Sequence, residues 1–82
     1  MYFVYLLRCV DDTLYTGITT DLVRRIEEHN SSDKGAKYTR IRRPVTLVYS
    51  EKHADRSLAS KREYEIKKKM TRIQKLALIE KY

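Results

Sequence analysis

The chain has 82 residues, 41% hydrophobic and 35% charged, a balance that suits one folded domain and excludes a disordered tract or a two-domain protein. Lysines and arginines outnumber acidic residues 18 to 11, and the resulting net charge of +7 favours a polyanionic partner such as nucleic acid. The single cysteine excludes an internal disulfide, one cysteine with two histidines argues against a structural zinc site, and no apolar run is long enough to span a bilayer.

The apolar N-terminus, Met1 to Leu7, has no basic residue ahead of it, and charges return at Arg8. No signal peptide is expected, and the cytoplasm is the expected compartment. Residues 2–10 are rich in β-formers (Tyr2, Phe3, Val4, Tyr5) and predict a strand. Asp11-Asp12-Thr13 predicts a turn, with Leu14-Tyr15-Thr16-Gly17-Ile18 as the returning strand. Tyr5 and Tyr15 share a face only if paired positions sum to an even number, as a three-residue loop requires. A two-residue loop at Asp11-Asp12 puts them on opposite faces.

Asp21 suits a helix N-cap, and a helix is predicted from about 21 to 30. Leu22, Val23 and Ile26 are expected towards the core, with Arg25 and His29, one turn apart, on a neighbouring polar stripe. Asn30 to Gly35 reads as a loop. The segment 34–43 is the most basic, with Lys34, Lys37, Arg40, Arg42 and Arg43 around Tyr38. Pro44 opens a strand, Val45 to Tyr49. A helix follows from about 54 to 69, and Thr71 with Gln74 predicts a capping box that starts another. Ile73, Leu76, Ala77 and Ile79 of this last helix are expected towards the core. The order β-β-α-β-α-α gives an α+β fold with a three-stranded, mainly antiparallel sheet, in one domain over residues 1–82.

Four residue types could do chemistry. Glu63 sits on or beside the apolar stripe of Ala59, Ile66 and Met70, so it is either an edge residue paired with Lys67 or a metal ligand. One carboxylate suffices for Mg²⁺ or Mn²⁺ when waters and phosphate oxygens complete the shell. Arg25 is either a solvated helix arginine or a guanidinium that binds a phosphate oxygen. Tyr5 and Tyr15 are hairpin packing residues or proton carriers, although a phenol with an ordinary pKa near 10 is a poor base at neutral pH. His29 is a surface histidine or the acceptor of that proton.

Phe3-Val4-Tyr5, Tyr15-Thr16-Gly17, Arg25, His29 and Glu63 together resemble the GIY-YIG nuclease domain, and the resemblance covers essentially the whole chain. Val4 to Cys9, Tyr15 to Thr19 and Gly35 to Arg40 are similar to its small stand-alone bacterial members. The resemblance implies a metal-dependent endonuclease cutting phosphodiester bonds in DNA. Arg25 falls on the family's catalytic arginine and Glu63 on its metal-binding glutamate, here for one Mg²⁺ or Mn²⁺. Tyr5, Tyr15 and His29 complete the implied catalytic set, with either tyrosine as the base. Lys34, Lys37, Tyr38, Arg40, Arg42 and Arg43 are the expected nucleic-acid contacts. With no appended specificity module, target choice is expected to fall to a partner protein. The alternative is a nucleic-acid-binding module that keeps the fold without the chemistry.

Overall fold

The computed structural model describes residues 1–82. Strands β1 (Tyr2–Arg8), β2 (Leu14–Thr19) and β3 (Thr46–His53) form one sheet in the order β2-β1-β3, antiparallel throughout. The strand richest in large apolar residues therefore lies at the centre.

The first hairpin decides which side chains share a face. Cys9 N–H donates to Thr13 C=O at 2.9 Å, and Asp12 N–H to Cys9 C=O at 2.9 Å. The loop proper is thus Val10-Asp11-Asp12, three residues, with Asp12 in the left-handed region at φ 67°. Tyr5 pairs with Gly17 and Leu7 with Tyr15, both sums even, so Tyr5 and Tyr15 stand on one face. Arg42 and Arg72 anchor the loop by contacts to Asp11 and Asp12.

The other face carries Val4 and Leu6, which pack against Ala59 and Ile66 with Met70, Leu78 and Ile79 around them. A bulge at Val48 shifts the β1–β3 register, so that Val48 and Tyr49 both join this cluster. Tyr5, Leu7, Cys9 and Val45 form the cluster on the opposite face, covered by Leu22 and Ile26. Helices lie on both faces: α1 (Leu22–Ser31) and the short α2 (Lys37–Arg40) on one, α3 (Arg56–Tyr64) and α4 (Arg72–Glu80) on the other.

Local signals set the helix ends. Asp21 caps α1 by accepting from Arg24 N–H at 3.1 Å, and Thr71 with Gln74 forms the expected capping box on α4. The C-terminal carbonyls of α1 are closed from a distance. The Arg43 guanidinium donates to the carbonyls of Glu28, His29 and Ser32. The Asn30 amide pairs with both backbone groups of Val45, at 3.0 and 2.6 Å, and ties α1 to the entry of β3.

Several expectations need correction. Strand β1 ends at Arg8, because Cys9 already belongs to the turn. Strand β3 runs on to His53 through Ser50, Glu51 and Lys52, where polarity concealed the strand. Glu51 accepts from Tyr49 Oη at 2.7 Å and pairs with His53 at 2.6 Å and Arg62 at 3.1 Å, so its charge is satisfied half-buried. Helix α2, Lys37–Arg40, lies inside the basic segment, where the sequence suggests no element. The helix expected over 54–69 is α-helical only to Tyr64, and Glu65–Lys69 widen into a π-helical turn. Val23, Ile73 and Ala77 point outwards, while Leu78 packs inwards in place of Ile73.

Candidate active site

The site is built around a phenol lying across a glycine. The Tyr5 ring extends from the central strand over Gly17 on the edge strand. A Cβ built on Gly17 would come 2.5 Å from Tyr5 Oη and 2.6 Å from Cζ. Gly17 has no positive φ, so proximity alone demands glycine here. From this position Tyr5 Oη meets His29 Nε2 at 2.9 Å.

His29 is fully buried, which overturns the surface-histidine reading. It projects from the last turn of α1, and its second nitrogen, Nδ1, meets Thr39 Oγ1 of α2 at 2.7 Å. The Thr39 hydroxyl donates to Ala36 C=O at 2.9 Å, so it can accept from His29 Nδ1–H. Nδ1 also receives Ala36 N–H at 3.4 Å, so the contacts are shared between the two tautomers; the one in which Thr39 accepts from Nδ1–H leaves Nε2 to accept from the Tyr5 hydroxyl. Gly35 makes this contact possible. A Cβ there would come 2.7 Å from Glu28 O and 2.9 Å from His29 Cα, so the chain leading into α2 can press against α1 only without a side chain.

Electrostatics follow from this burial. Burial, with help from the Arg25 charge, lowers the His29 pKa to about 4, so the imidazole is neutral at physiological pH. Burial raises the Tyr5 pKa to about 12, with the nearby Arg25 guanidinium opposing the shift. Tyr15 is also pushed up, first by burial, with Arg25 acting against it and Glu63 with it. Both phenols are protonated at rest.

Tyr15 stands beside this pair. Its ring approaches His29 edge-on at 5.3 Å and stacks on Tyr38 at 5.9 Å. Arg42 in turn lies 4.0 Å above the Tyr38 ring. Arg25 is about a quarter exposed, whereas Arg24 points into solvent. Its Nη1 donates to Glu28 Oε1 at 3.0 Å and to Lys34 C=O at 2.8 Å, which fixes one side of the guanidinium and leaves the rest of the fork for a ligand.

Glu63 reaches the same region from α3 on the opposite side of the sheet, close enough for its charge to raise both phenol pKa values. The expected i,i+4 pair with Lys67 is absent, and Glu63 joins no ion pair. The π turn explains this. It changes the helical phase after Tyr64, and Lys67 Nζ stands 5.9 Å from the centre of the Tyr15 ring. The carboxylate is left half-exposed and unpaired.

The basic segment divides. Lys34 and Lys37 project freely into solvent. Arg40 bonds to Asp33 C=O, and Arg42 is engaged by Asp11 and Tyr38. Arg43 closes α1, so its guanidinium is a structural group. Three lysines outside the segment, Lys67, Lys68 and Lys75, were not expected near the site but line a cavity beside Tyr15. Thr39 was also missed, and nothing in its local sequence separates it from any threonine of a polar stretch.

The model of the GIY-YIG catalytic domain family matches residues 1–77. The chain belongs to the GIY-YIG family. Among its relatives, a UPF0213 protein of Desulfotalea psychrophila is 70% identical over 66 residues, covering 80% of this chain and 60% of that protein. A UPF0213 protein of Staphylococcus haemolyticus is 53% identical over 79 residues, 96% of this chain and 94% of the relative. A solution structure of a UPF0213 protein from Bacillus halodurans superposes with a TM-score of 0.61 at 44% identity, covering 98% of this chain and 84% of that one. A protein of E. faecalis gives 0.65 at 44% identity, over 98% and 83%. In GIY-YIG terms the two signature triplets lie side by side, and Tyr5, which ends the first, rests on Gly17, which ends the second.

Proposed function

We propose that the protein is a metal-dependent endonuclease that hydrolyses phosphodiester bonds in DNA. The observation that carries this reading is the convergence of Tyr5, Tyr15, His29 and Arg25 on one face of the sheet, with an unpaired carboxylate, Glu63, at its margin. The Arg25 fork binds a non-bridging phosphate oxygen and stabilises the charge that builds in the transition state. Tyr5 does not begin as a base. Its hydroxyl passes its own proton to the free lone pair of His29 Nε2 as it takes one from the attacking water. Thr39 holds the imidazole in the tautomer that this transfer needs. Tyr15 faces the adjoining cavity and orients a phosphate oxygen.

Glu63 fits a hard divalent cation. It is an oxygen donor without a competing cation, and no group of three histidine, cysteine or acidic side chains surrounds it, so water and phosphate oxygens would supply most of the shell. Such an ion, Mg²⁺ or Mn²⁺, would neutralise phosphate charge and stabilise the leaving oxygen. Lys34 and Lys37 are free to track the phosphate backbone.

The test is cleavage of plasmid and single-stranded DNA by purified wild type and Arg25→Ala in Mn²⁺. Loss of an oxyanion-type donor should slow the variant by about 10²–10³. Equal rates would remove Arg25 from the chemistry. Salt-dependent binding with no turnover in either protein would favour a binding module of the same fold.

A further inference from the structure

Beside Tyr15, on the open side of the edge strand β2, lies a cavity of about 340 Å³. Tyr15 and Thr16 form one wall, Tyr38 of α2 another, and Lys67, Lys68 and Lys75 close it from the π turn and α4. No acidic residue lines it, and none of the three lysines joins an ion pair. Elsewhere on the surface only arginines are matched, Arg8 and Arg72 with Asp12, Arg42 with Asp11, Arg25 with Glu28, and Arg62 with Glu51 and Glu65, and no lysine of the chain joins an ion pair, so what sets Lys67, Lys68 and Lys75 apart is their convergence on one concavity. Three unmatched ammonium groups around one concavity, with aromatic edges inside it, suit an anion attached to a flat, partly apolar body.

The π turn is what assembles this arrangement. A continuous α-helix would stack Lys67 over Glu63, four residues earlier. The wider turn parts them, which frees the carboxylate on one side and delivers the ammonium group over Tyr15 on the other.

We propose that the cavity is a nucleotide subsite, holding the nucleotide next to the scissile phosphate on the cleaved strand. Its phosphate lies among Lys67, Lys68 and Lys75, and its sugar and base lie along Tyr15 and Tyr38. The volume falls at the lower end of the usual range for small-ligand sites, enough for one nucleotide and too small for a base pair. The proposal rests on the nuclease reading for its place beside the scissile bond, but the binding itself can be tested apart from cleavage.

The experiment is a two-dimensional NMR titration of the full-length protein with deoxythymidine monophosphate, and separately with inorganic phosphate, without metal. The nucleotide should shift the backbone amides of Thr16, Tyr38, Lys67 and Lys68, and phosphate alone should shift the lysine amides less. Equal shifts with both ligands, or shifts confined to other surfaces, would overturn the nucleotide assignment. The second measurement is the salt dependence of single-stranded oligonucleotide binding by Lys67→Gln/Lys75→Gln, which keeps most of each side-chain stem. The slope of log affinity against log salt should fall in magnitude by about 0.7, for the one phosphate that these lysines hold. An unchanged slope would contradict the subsite even if cleavage is intact. Conversely, nucleotide binding in the cavity with no metal-dependent cleavage would keep the subsite and remove the nuclease reading.

Discussion

Replacing Gly17 by alanine places a methyl carbon 2.5 Å from Tyr5 Oη and 2.6 Å from Cζ, where ordinary contact begins at 3.4 Å. The ring must retreat by about 0.9 Å, an overpacking strain that typically costs about 1–3 kcal/mol. Tyr5 cannot retreat freely, because it is 1% exposed and packed with Leu7, Cys9 and Val45. Its 2.9 Å contact with His29 also lengthens, for roughly 1 kcal/mol more. Against this, alanine restricts the unfolded chain and returns about 0.4–1 kcal/mol, since the backbone at Gly17 is ordinary. The net expectation is a loss of about 2 kcal/mol in urea unfolding. A double-mutant cycle with Tyr5→Leu isolates the cause, because leucine lacks the crowded Cζ and Oη atoms. In that background Gly17→Ala should be neutral or slightly stabilising, a coupling of about 2 kcal/mol. An equal cost in both backgrounds would refute the close approach as the reason for glycine. In cleavage assays the single Gly17→Ala variant should lose about 10²-fold, the usual effect of misplacing a reacting group by about an ångström.

Arg43→Ala should lower stability by about 2 kcal/mol in denaturant unfolding, because three carbonyls at the end of α1 lose their donor. An unchanged midpoint would mean that water replaces the guanidinium without loss. The folded pKa of His29, about 4, lies below the ordinary value near 6.5, so the unfolded chain binds the proton first. Its contribution is therefore complete above pH 6.5 and is lost as pH falls towards 4, up to about 3 kcal/mol. In His29→Gln that part of the pH dependence should vanish, and identical stability profiles for the two proteins would contradict the burial of a neutral imidazole. Thr39→Val should keep the fold and reduce cleavage, because the imidazole loses its orienting acceptor. Unchanged cleavage at all pH values would show that the Thr39 contact does not position His29.

The hairpin was legible because its test was one of parity. Alternation alone placed Tyr5 and Tyr15 on one face once the loop had three residues, and Asp12 supplied the left-handed residue that such a loop needs. The Thr71–Gln74 capping box was legible because its chemistry is local. Ile73 was misplaced because a short helix offers two plausible apolar stripes, and only the docking of Leu78 and Ile79 against the sheet chooses between them. The polar end of β3 was hidden because Glu51 depends on Arg62, eleven residues away on another element. At the site, the spacing of Arg25 and His29 pointed to one helical face, but the burial of His29 depends on Gly35 and Thr39, contacts that no periodicity encodes. The freedom of Glu63 likewise rests on a π turn that has no clear mark in Glu65-Ile66-Lys67-Lys68-Lys69.

The most direct measurement is a Mn²⁺ titration of DNA cleavage by wild type and Glu63→Gln, with circular dichroism to confirm that both are folded. If Glu63 holds the metal beside the Tyr5–His29 pair and Arg25, wild-type cleavage should rise and saturate with Mn²⁺, while Glu63→Gln remains at background at every concentration. Superimposable titration curves for the two proteins, or folded wild type that cuts no DNA at saturating Mn²⁺, would contradict it.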